Sequence, residues 1–405
     1  MDIVIIGGGA AGFFAAITAA ESNPAAQVIV LERSASVLQK VQLSGGGRCN
    51  ITHACFDARA LVQHYPRGSR ELLGPFQRFG PQDTVDWFEA RGVRLKTEPD
   101  GRMFPLSDDA QTIVECLWNA ARRAGVQVRT GLRVERLERI GDSWRVHCTR
   151  LEPLPADRVL VATGSSEAIW AMLEKLGHRI VPPAPSLFTF NIKDSRLRDL
   201  AGVSVPDALV QVAGARLSAR GPLLITHWGL SGPAILRLSA WDARELKQAS
   251  YSFSLIISWL GDKKLAEVLA GLAQTKAANA RKTVHAHPAY GLPQRLWERL
   301  AAAAGIPAGM RWADTGKTVL QGLATELCCG AYAVRGKSAF KEEFVTAGGV
   351  DLREVQFKTF ESKLFPHLYF AGEVLDIDAL TGGFNFQAAW TGGWIAGKAM
   401  VGNDE

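Results

Sequence analysis

The sequence predicts an α/β protein whose main domain is a parallel sheet with helices on both faces, interrupted by an inserted domain. Three observations predict this class. Residues 3–32 read as a buried strand, a glycine-rich turn, a helix and a second buried strand. Between about 190 and 335 the pattern changes to short alternating strands followed by helices, and apolar strands then return. Continuous apolar strands are typical of a parallel sheet that is covered on both faces.

The elements of the main domain follow from hydrophobic patterns along the chain. Asp108 and Gln111 have the spacing of a capping box, which predicts a helix from there to about Ala124. Apolar runs bounded by turn residues predict the strands. The predicted strands lie at 3–6, 27–31, 126–128, 143–148, 158–161 and 368–371, and further helices lie at 10–22 and 385–397.

A proline-rich segment at 181–185 predicts a domain boundary. Beyond it, alternating strands are expected over 186–226 and 251–259, and apolar residues at helical spacing begin at Leu265. Further helices are expected near 293–304 and 317–327. We therefore predict a discontinuous main domain, 1–189 and 336–405, and an inserted domain of mixed β-barrel and helical structure at 190–335.

The composition is that of an ordinary globular protein. The chain has 405 residues, of which 47% are hydrophobic and 21% charged, with a formal net charge of +6. A charge of this size over so long a chain indicates a solvated basic surface. A nucleic-acid partner is the alternative, and the arginine-rich stretch 122–150 keeps it open.

Cysteines and histidines show no metal-binding spacing. The six cysteines include no CxxC pair, and their scatter is typical of free thiols in a reducing cytosol. His285 and His287 have no carboxylate or thiol close by, so no metal is expected. The apolar start has no basic region before it and no membrane-length run follows, so we expect a cytoplasmic protein without signal peptide or membrane span.

The strongest motif is Gly7-x-Gly9-x-x-Gly12, which follows a strand and opens a helix. Glu32 ends the next strand about 20 residues further on, where an acid binds ribose hydroxyls in dinucleotide folds. The helix N-terminus offers N–H groups to a pyrophosphate. The alternative is a tight turn without ligand. The N-terminal position favours FAD over NAD, and the acid at Glu32 argues against a 2′-phosphate there.

A second motif, at 40–50, contains three consecutive glycines followed by Arg48. Such a loop is rich in donors and suits a phosphate or a flavin edge. A plain surface loop is the alternative.

Three reactive side chains stand close to these motifs or on a similar loop. His227 stands on a glycine-rich loop and is a candidate acid or base beside a flavin, with a structural role equally open. Cys49 and Cys55 are separated by five residues, which favours two unrelated thiols over a redox-active disulfide.

Several motifs together resemble one family. The chain reads SGGGRCNIT at 44–52, THWGLSGPAIL at 226–236 and FAGEVLDIDALTGGFNFQAAWTGG at 370–393. With the glycine-rich start, these motifs resemble the aminoacetone-oxidase-like FAD-binding flavoproteins, a branch of the glutathione-reductase-type flavoproteins with two dinucleotide folds. The resemblance spans nearly the whole chain. It implies an FAD-binding Rossmann-like domain formed by the N-terminal part and the C-terminal segment, with the middle as a substrate-side domain.

The resemblance also implies roles for individual residues. The ADP half of FAD would be held by Gly7, Gly9, Ala10, Ala11, Gly12, Glu32 and Arg33. The flavin side would be lined by Lys40, Gly45, Gly46, Gly47, Arg48, Cys49 and Asn50. The adenine would meet the backbone of Val134, and the turn Ala162, Thr163 and Gly164 would close the nucleotide site. The ribityl chain and pyrophosphate would be approached by Gly372, Glu373 and Asp378. A helix N-terminus at the flavin pyrimidine would be formed by Gly382, Gly383, Phe384, Asn385, Phe386 and Gln387. One departure is Ser165–Ser166, where the family pattern implies another glycine.

These observations predict an FAD-dependent oxidoreductase that acts on a small molecule by hydride transfer at flavin N5. One alternative is an NAD(P)H-dependent reductase of a C=C bond, which includes a pyrimidine of ribosomal RNA. Others are a non-enzymatic flavin-binding protein and an NAD-only dehydrogenase. NAD(P)H is a candidate electron donor, although no second GxGxxG is present. RNA is a candidate partner that we do not favour.

Overall fold

The computed structural model describes residues 1–215, 217–338 and 345–402. The chain forms two compact units, which are treated separately below. Unit 1 consists of residues 1–183 and 345–405, and unit 2 consists of residues 184–344.

Unit 1 contains most of the regular structure, and elements are numbered in chain order across both units. Its strands are β1 (Asp2–Ile6), β2 (Gln27–Leu31), β3 (Thr52–His53), β4 (Leu95–Thr97), β5 (Arg102–Pro105), β6 (Gln127–Arg129), β7 (Val134–Ile140), β8 (Ser143–Cys148), β9 (Leu151–Ala156), β10 (Arg158–Val161), β11 (Ile180–Ser186, reaching into unit 2), β18 (Val345–Val350), β19 (Val355–Gln356), β20 (Glu361–Ser362) and β21 (Leu368–Phe370). Its helices are α1 (Ala10–Ser22), α2 (Gln39–Gly47), α3 (Ala58–Leu61), α4 (Leu73–Arg78), α5 (Pro81–Glu89), α6 (Gln111–Arg123), α7 (Glu167–Leu176) and α13 (Phe384–Met400), with 3-10 turns at Val62–His64 and Leu352–Glu354.

The central sheet of unit 1 has seven strands in the order β19-β20-β21-β10-β1-β2-β6. β1 is parallel to both β2 and β10, and β10 is parallel to β21. The predicted parallel sheet is therefore confirmed, and it joins the C-terminal segment to the N-terminal part. Two smaller antiparallel sheets, β3-β5-β4 and β7-β8-β9, accompany it, and β11 pairs with β18.

Helices α1 and α13 pack closely because small residues face each other along their contact. A Cβ on Gly393 would lie 2.6 Å from the Ala11 carbonyl oxygen, and one on Gly397 would lie 2.7 Å from that of Ala15. Only glycine permits backbones this close. The backbone of α13 is therefore held directly against that of α1.

The predicted capping box at the start of α6 is wrong. The residue at the N-cap is Ala110, and the Asp109 carboxylate accepts the Gln111 N–H at 2.8 Å. Asp108 instead adopts a left-handed conformation and pairs with Lys96. The neighbouring acid, one residue later, therefore takes the capping role.

Unit 2 is built on a closed barrel, which confirms the predicted mixture of β-barrel and helices. Its strands are β12 (Thr189–Ile192), β13 (Ser204–Val212), β14 (Ser218–Ile225), β15 (Gly229–Ser231), β16 (Ser252–Ser258) and β17 (Gly330–Ser338), in the barrel order β12-β15-β14-β13-β16-β17. Its helices are α8 (Pro233–Trp241), α9 (Ala243–Gln248), α10 (Leu265–Ala278), α11 (Gln294–Ala303) and α12 (Lys317–Cys328), with 3-10 turns at Ser195–Leu197 and Trp312–Asp314. The predicted domain limits, 189/190 and 335/336, fall inside β12 and β17.

The barrel interior is filled by alternate residues of its strands. Phe190, Leu255 and Ile257 are fully buried, as the alternating pattern requires of inward-facing positions. In the part of the chain that the structure describes, no helix combines the length and the apolar character needed to span a bilayer.

A buried histidine ties together two late segments of unit 1. The His178 side chain is almost fully buried, with Nδ1 2.8 Å from the Glu354 carboxylate and Nε2 3.2 Å from the Ser362 hydroxyl. A carboxylate only accepts, so Nδ1–H donates to Glu354 and Nε2 accepts the Ser362 proton. Burial lowers the pKa of His178 from its ordinary 6.5, although Glu354 acts in the opposite direction.

We expect the free energy of unfolding to fall as the pH drops below 6.5. In that range His178 is protonated in the unfolded chain but stays neutral in the folded protein, where its pKa is lowered. A His178→Gln variant should be less stable at neutral pH but lose less stability on acidification. Urea unfolding at about pH 7.5 and about pH 5 measures both slopes. Identical pH dependence in the two proteins would contradict the assignment.

Candidate functional site

The turn between β1 and α1 is closed by two close backbone approaches. Gly7 has φ +112°, and a Cβ there would lie 2.4 Å from the Ala162 carbonyl oxygen and 2.9 Å from the Thr163 Cα. A Cβ on Gly12 would lie 2.0 Å from the Gly7 carbonyl oxygen. Glycine at both positions is therefore a steric requirement, which brings the ends of β1 and β10 together at the start of α1.

The space in front of α1 is open. A Cβ on Gly9, the N-cap, would meet no atom within 4 Å. No side chain caps the helix and its first turn, which begins Ala10–Ala11, holds no acid. The first N–H groups of α1 therefore have no side-chain acceptor in this structure, which is the arrangement of an anion site.

Glu32 is fixed beside this turn. Its carboxylate accepts the backbone N–H of Gly8 at 2.9 Å and that of Ser34 at 2.8 Å. A carboxylate has about four acceptor positions, so capacity remains for ribose hydroxyls. Arg33 is exposed next to it. Val134 is buried at the start of β7, two residues after Leu132, whose N–H donates to the Glu32 carbonyl.

The last three residues of α2 form a glycine loop that is left-handed throughout. Gly45, Gly46 and Gly47 have φ values of +59°, +68° and +82°. A Cβ on Gly46 or Gly47 would meet nothing within 4 Å, so this stretch of backbone is accessible. Arg48 turns away into an ion pair with Glu98 at 2.7 Å, and its guanidinium lies 4.1 Å from the Phe104 ring centre. Its charge is thus engaged within unit 1.

Cys49 and Cys55 are both free thiols. Burial raises the pKa of Cys49 to about 12 and also raises the pKa of Cys55. Because the thiolate is the reactive form, neither residue is activated as a nucleophile.

Two buried acceptors lie just beyond the glycine loop. Asn50 is 9% exposed, and its Oδ1 has no hydrogen-bond partner among the described residues. His53 Nε2 lies 3.0 Å from the Asp100 carbonyl oxygen, so Nδ1 is left as an acceptor, and it too has no partner in the described part of the chain. Buried polar atoms are rarely unsatisfied, so these two acceptors are available to a ligand that donates hydrogen bonds. The sequence motifs do not mark His53 as a site residue, although it directly follows SGGGRCNIT.

Several predicted residues meet at the end of β10. Lys40 Nζ is 2.7 Å from the Glu373 carboxylate. A Cβ on Gly164 would lie 3.7 Å from that carboxylate and 3.9 Å from Lys40 Nζ. A Cβ on Gly372 would lie 3.1 Å from the Ala11 Cβ. The structure therefore brings together residues that are more than three hundred positions apart in sequence.

The start of α13 is a second helix N-terminus without a side-chain cap or an acid in its first turn. Gly382 and Gly383 are left-handed, and a Cβ on Gly383 would lie 2.4 Å from the Thr52 carbonyl oxygen. Phe384 stacks on the rings of His53 and His64, with centroids 4.7 Å and 4.1 Å away. The helix start is thus held against β3.

Other predicted side chains in this region are engaged in supporting the fold. Asp378 is fully buried and ion-paired with Arg67. The amide oxygen of Gln387 accepts the Thr52 hydroxyl at 2.6 Å and the Thr84 hydroxyl at 3.0 Å.

Two more predicted residues hold the α13 start in place. The Asn385 side chain bonds the Ala379 backbone at 2.9 and 3.1 Å. Phe386 stacks on Trp390 with ring centres 5.6 Å apart.

His227 belongs to unit 2, whereas the other predicted site residues belong to unit 1. It is exposed on the turn between β14 and β15 and borders a groove of about 620 Å³. Among the described residues, no group of three or more histidine, cysteine or acidic side chains is arranged to hold a metal ion.

Comparison with known proteins agrees with this geometry. Residues 1–399 match the family model described as HI0933-like protein Rossmann domain. A 3-dehydro-bile acid delta(4,6)-reductase of Clostridium scindens is 30% identical over 98% of each chain. A ribosomal RNA dihydrouridine synthase of Escherichia coli is 29% identical over 99% of this chain and 98% of its own. Among solved structures, a 3-ketosteroid-delta4-(5alpha)-dehydrogenase of Rhodococcus jostii covers the whole chain with a TM-score of 0.52 and 15% identity.

A parallel sheet with a glycine-rich turn, an acid at the end of the second strand and open helix N-termini defines a dinucleotide-binding protein of the Rossmann class. More particularly, the chain belongs to the HI0933-like Rossmann family, and it is an FAD-dependent oxidoreductase.

Two alanine substitutions separate folding from cofactor binding at the first turn. Gly12→Ala should destabilise the protein by about 2 kcal/mol or more, because its Cβ would overlap the Gly7 carbonyl. Gly9→Ala should change stability by about 1 kcal/mol at most, since its Cβ meets only open space, yet it should reduce FAD retention. Urea unfolding and the flavin content after purification measure these effects. A Gly9→Ala protein that retains full flavin would contradict the role given to this space.

Proposed function

We propose that this oxidoreductase reduces a carbon–carbon double bond conjugated to a carbonyl group in a small molecule, with NAD(P)H as electron donor. The net reaction adds a hydride and a proton across the double bond and oxidises NAD(P)H to NAD(P)⁺. The observation that carries the flavin part is the set of unpartnered polar groups in unit 1, which comprises the open N-termini of α1 and α13 and the buried acceptor on Asn50.

The residues present fit FAD. The N–H groups at the start of α1 suit the pyrophosphate, and Glu32 suits the adenosine ribose. Oxidised isoalloxazine offers one ring N–H, at N3, and the buried acceptors Asn50 Oδ1 and His53 Nδ1 lack a donor. Gly46 and Gly47 leave their backbone open for a flat ring to approach.

When bound, FAD supplies hydride transfer at its N5 atom. The chain's contribution would be electrostatic: the N-terminus of α13 offers a positive dipole end and free N–H groups, which would stabilise the negative charge of a reduced flavin. The Lys40–Glu373 pair and Gly164 shape the neighbouring wall at the end of β10.

The direction of the reaction is supported by two relatives that match nearly end to end. The names of the bile acid delta(4,6)-reductase and of the dihydrouridine synthase both denote saturation of a C=C bond. In a 3-oxo steroid and in uracil alike, that bond is conjugated to a carbonyl. A shared reaction on different substrates is expected where site details change within one fold.

A pyrimidine of ribosomal RNA is the second candidate substrate, and the dihydrouridine synthases favour it. The arginine-rich stretch gives it less support. Arg136 pairs with Glu138 at 3.1 Å, and Arg139 pairs with Asp142 at 3.6 Å, so part of the positive charge of this stretch is already compensated. We therefore place small molecules first.

An anaerobic titration of the FAD-loaded protein with NADPH and then NADH tests the proposal. We expect rapid bleaching of the visible flavin band and its return on adding a 3-oxo-Δ4 steroid. Return of the band with a uridine-containing ribosomal RNA fragment alone would select the second candidate. If neither nucleotide bleaches the flavin, while an aminoketone bleaches it anaerobically and causes oxygen uptake in a separate aerated assay, the protein is an oxidase and the proposal fails.

We propose that His227 supplies the proton that accompanies hydride addition. A His227→Ala variant should keep its flavin and bleach normally with NADPH, because neither step needs this proton. Reoxidation by substrate should slow by about 100-fold or more, the usual contribution of a general acid. Stopped-flow measurement of both half-reactions separates these effects, and an unchanged reoxidation rate would remove His227 from the mechanism.

A further inference from the structure

Unit 2 carries a groove of its own, which His227 borders. This groove, called the unit 2 groove, has a volume of about 620 Å³ and is lined by the segment after β12 and by the turn between β14 and β15. Its polar lining includes Lys193, Ser195, Arg198, Thr226 and His227. Volumes of this size are typical of small-molecule sites.

Both walls of the groove are held by backbone contacts. The Ile192 N–H donates to the Trp228 carbonyl at 2.9 Å, and a Cβ on Gly229 would lie 2.2 Å from the Phe190 carbonyl oxygen. The Thr226 hydroxyl accepts the N–H groups of Trp228 and Gly229 at 3.3 and 3.2 Å. The groove is therefore preformed, which lowers the entropy cost of binding.

The acids at the groove are already neutralised. The Asp194 carboxylate accepts from Arg196 at 2.7 and 2.9 Å, and Asp199 pairs with Arg299 at 3.5 Å. The basic side chains of Lys193 and Arg198, in contrast, form no ion pair with any residue in the described ranges. The groove thus retains two positive charges that no carboxylate of its own lining balances.

We propose that the unit 2 groove binds an organic anion through a carboxylate or phosphate group paired with Lys193 and Arg198. A guanidinium and an ammonium both form strong charge-assisted bonds to such groups. That this ligand is the substrate rests on the proposed function, whereas the binding of an anion does not.

The test is calorimetric titration of the FAD-loaded protein with two matched pairs of probes. One pair is a 3-oxo-Δ4 steroid carboxylate and its methyl ester, and the other is uridine 5′-monophosphate and uridine. We expect the charged member of at least one pair to bind about 10-fold or more tightly than its neutral partner, which corresponds to about 1.4 kcal/mol. The pair that discriminates identifies the anion as carboxylate or phosphate.

A Lys193→Ala/Arg198→Ala double variant should lose this discrimination. Arg237→Ala is the matched control, because Arg237 is an exposed arginine of unit 2 on α8, outside the groove lining, and its loss should leave both affinities unchanged. The inference is overturned if charged and neutral probes bind the wild-type protein equally, or if the double variant retains the wild-type preference. Anion binding without NAD(P)H-dependent reduction would contradict the proposed function but leave this inference intact.

Discussion

The contact between Gly7 and Gly12 is the constraint on which the rest of unit 1 depends. The Gly12 Cα sits so close to the Gly7 carbonyl that a single methyl group would overlap it. This approach sets the angle at which α1 leaves the sheet, and it places the first turn of α1 beside the end of β10. The helix N-terminus is left open by that geometry, and its N–H groups can accept an anion without the help of any charged side chain.

The same helix then organises the C-terminal segment. Gly393 and Gly397 lie against the backbone of α1, and β21 adds to the sheet beside β10. These contacts bring the start of α13 to β3, where Gly383 touches Thr52 and Gln387 accepts two buried hydroxyl groups. A large insertion between the two halves of unit 1 is tolerated because the sheet and the α1–α13 contact close it on either side.

Local patterns were enough to predict much of this structure. The bounds of β1, α1, β2, β8 and β10 follow from apolar periodicity and turn residues, and so does the parallel sheet. The change of pattern after the prolines also predicted a second unit that combines a β-barrel with helices. These features depend on residues that are close together in the sequence, so the spacing of apolar and turn residues is enough to predict them. The predicted order, strands and then helices, is wrong, because α8 and α9 precede β16 and β17 follows α12.

Long-range side-chain pairing could not be predicted in this way. Nothing local to Arg48 indicates that Glu98 and Phe104 would engage it, and Asp378 is matched with an arginine 311 positions away. His53 could not be predicted as a site residue, because what marks it is a buried Nδ1 atom without a hydrogen-bond partner in the described part of the chain. That property depends on the folded environment. The misplaced cap at Asp108 has a smaller cause, since two adjacent aspartates compete for one N-terminus.

The most direct test of the central claim is the affinity of the flavin-free protein for FAD and for FMN, followed by quenching of flavin fluorescence. A large part of the binding free energy should come from the ADP half of FAD, through the α1 N-terminus and Glu32. We therefore expect FAD to bind about 100-fold or more tightly than FMN, because two or more charge-assisted contacts are lost in the smaller cofactor. Equal affinity for the two flavins would contradict the account, since the glycine turn and Glu32 would then contribute nothing to holding the cofactor.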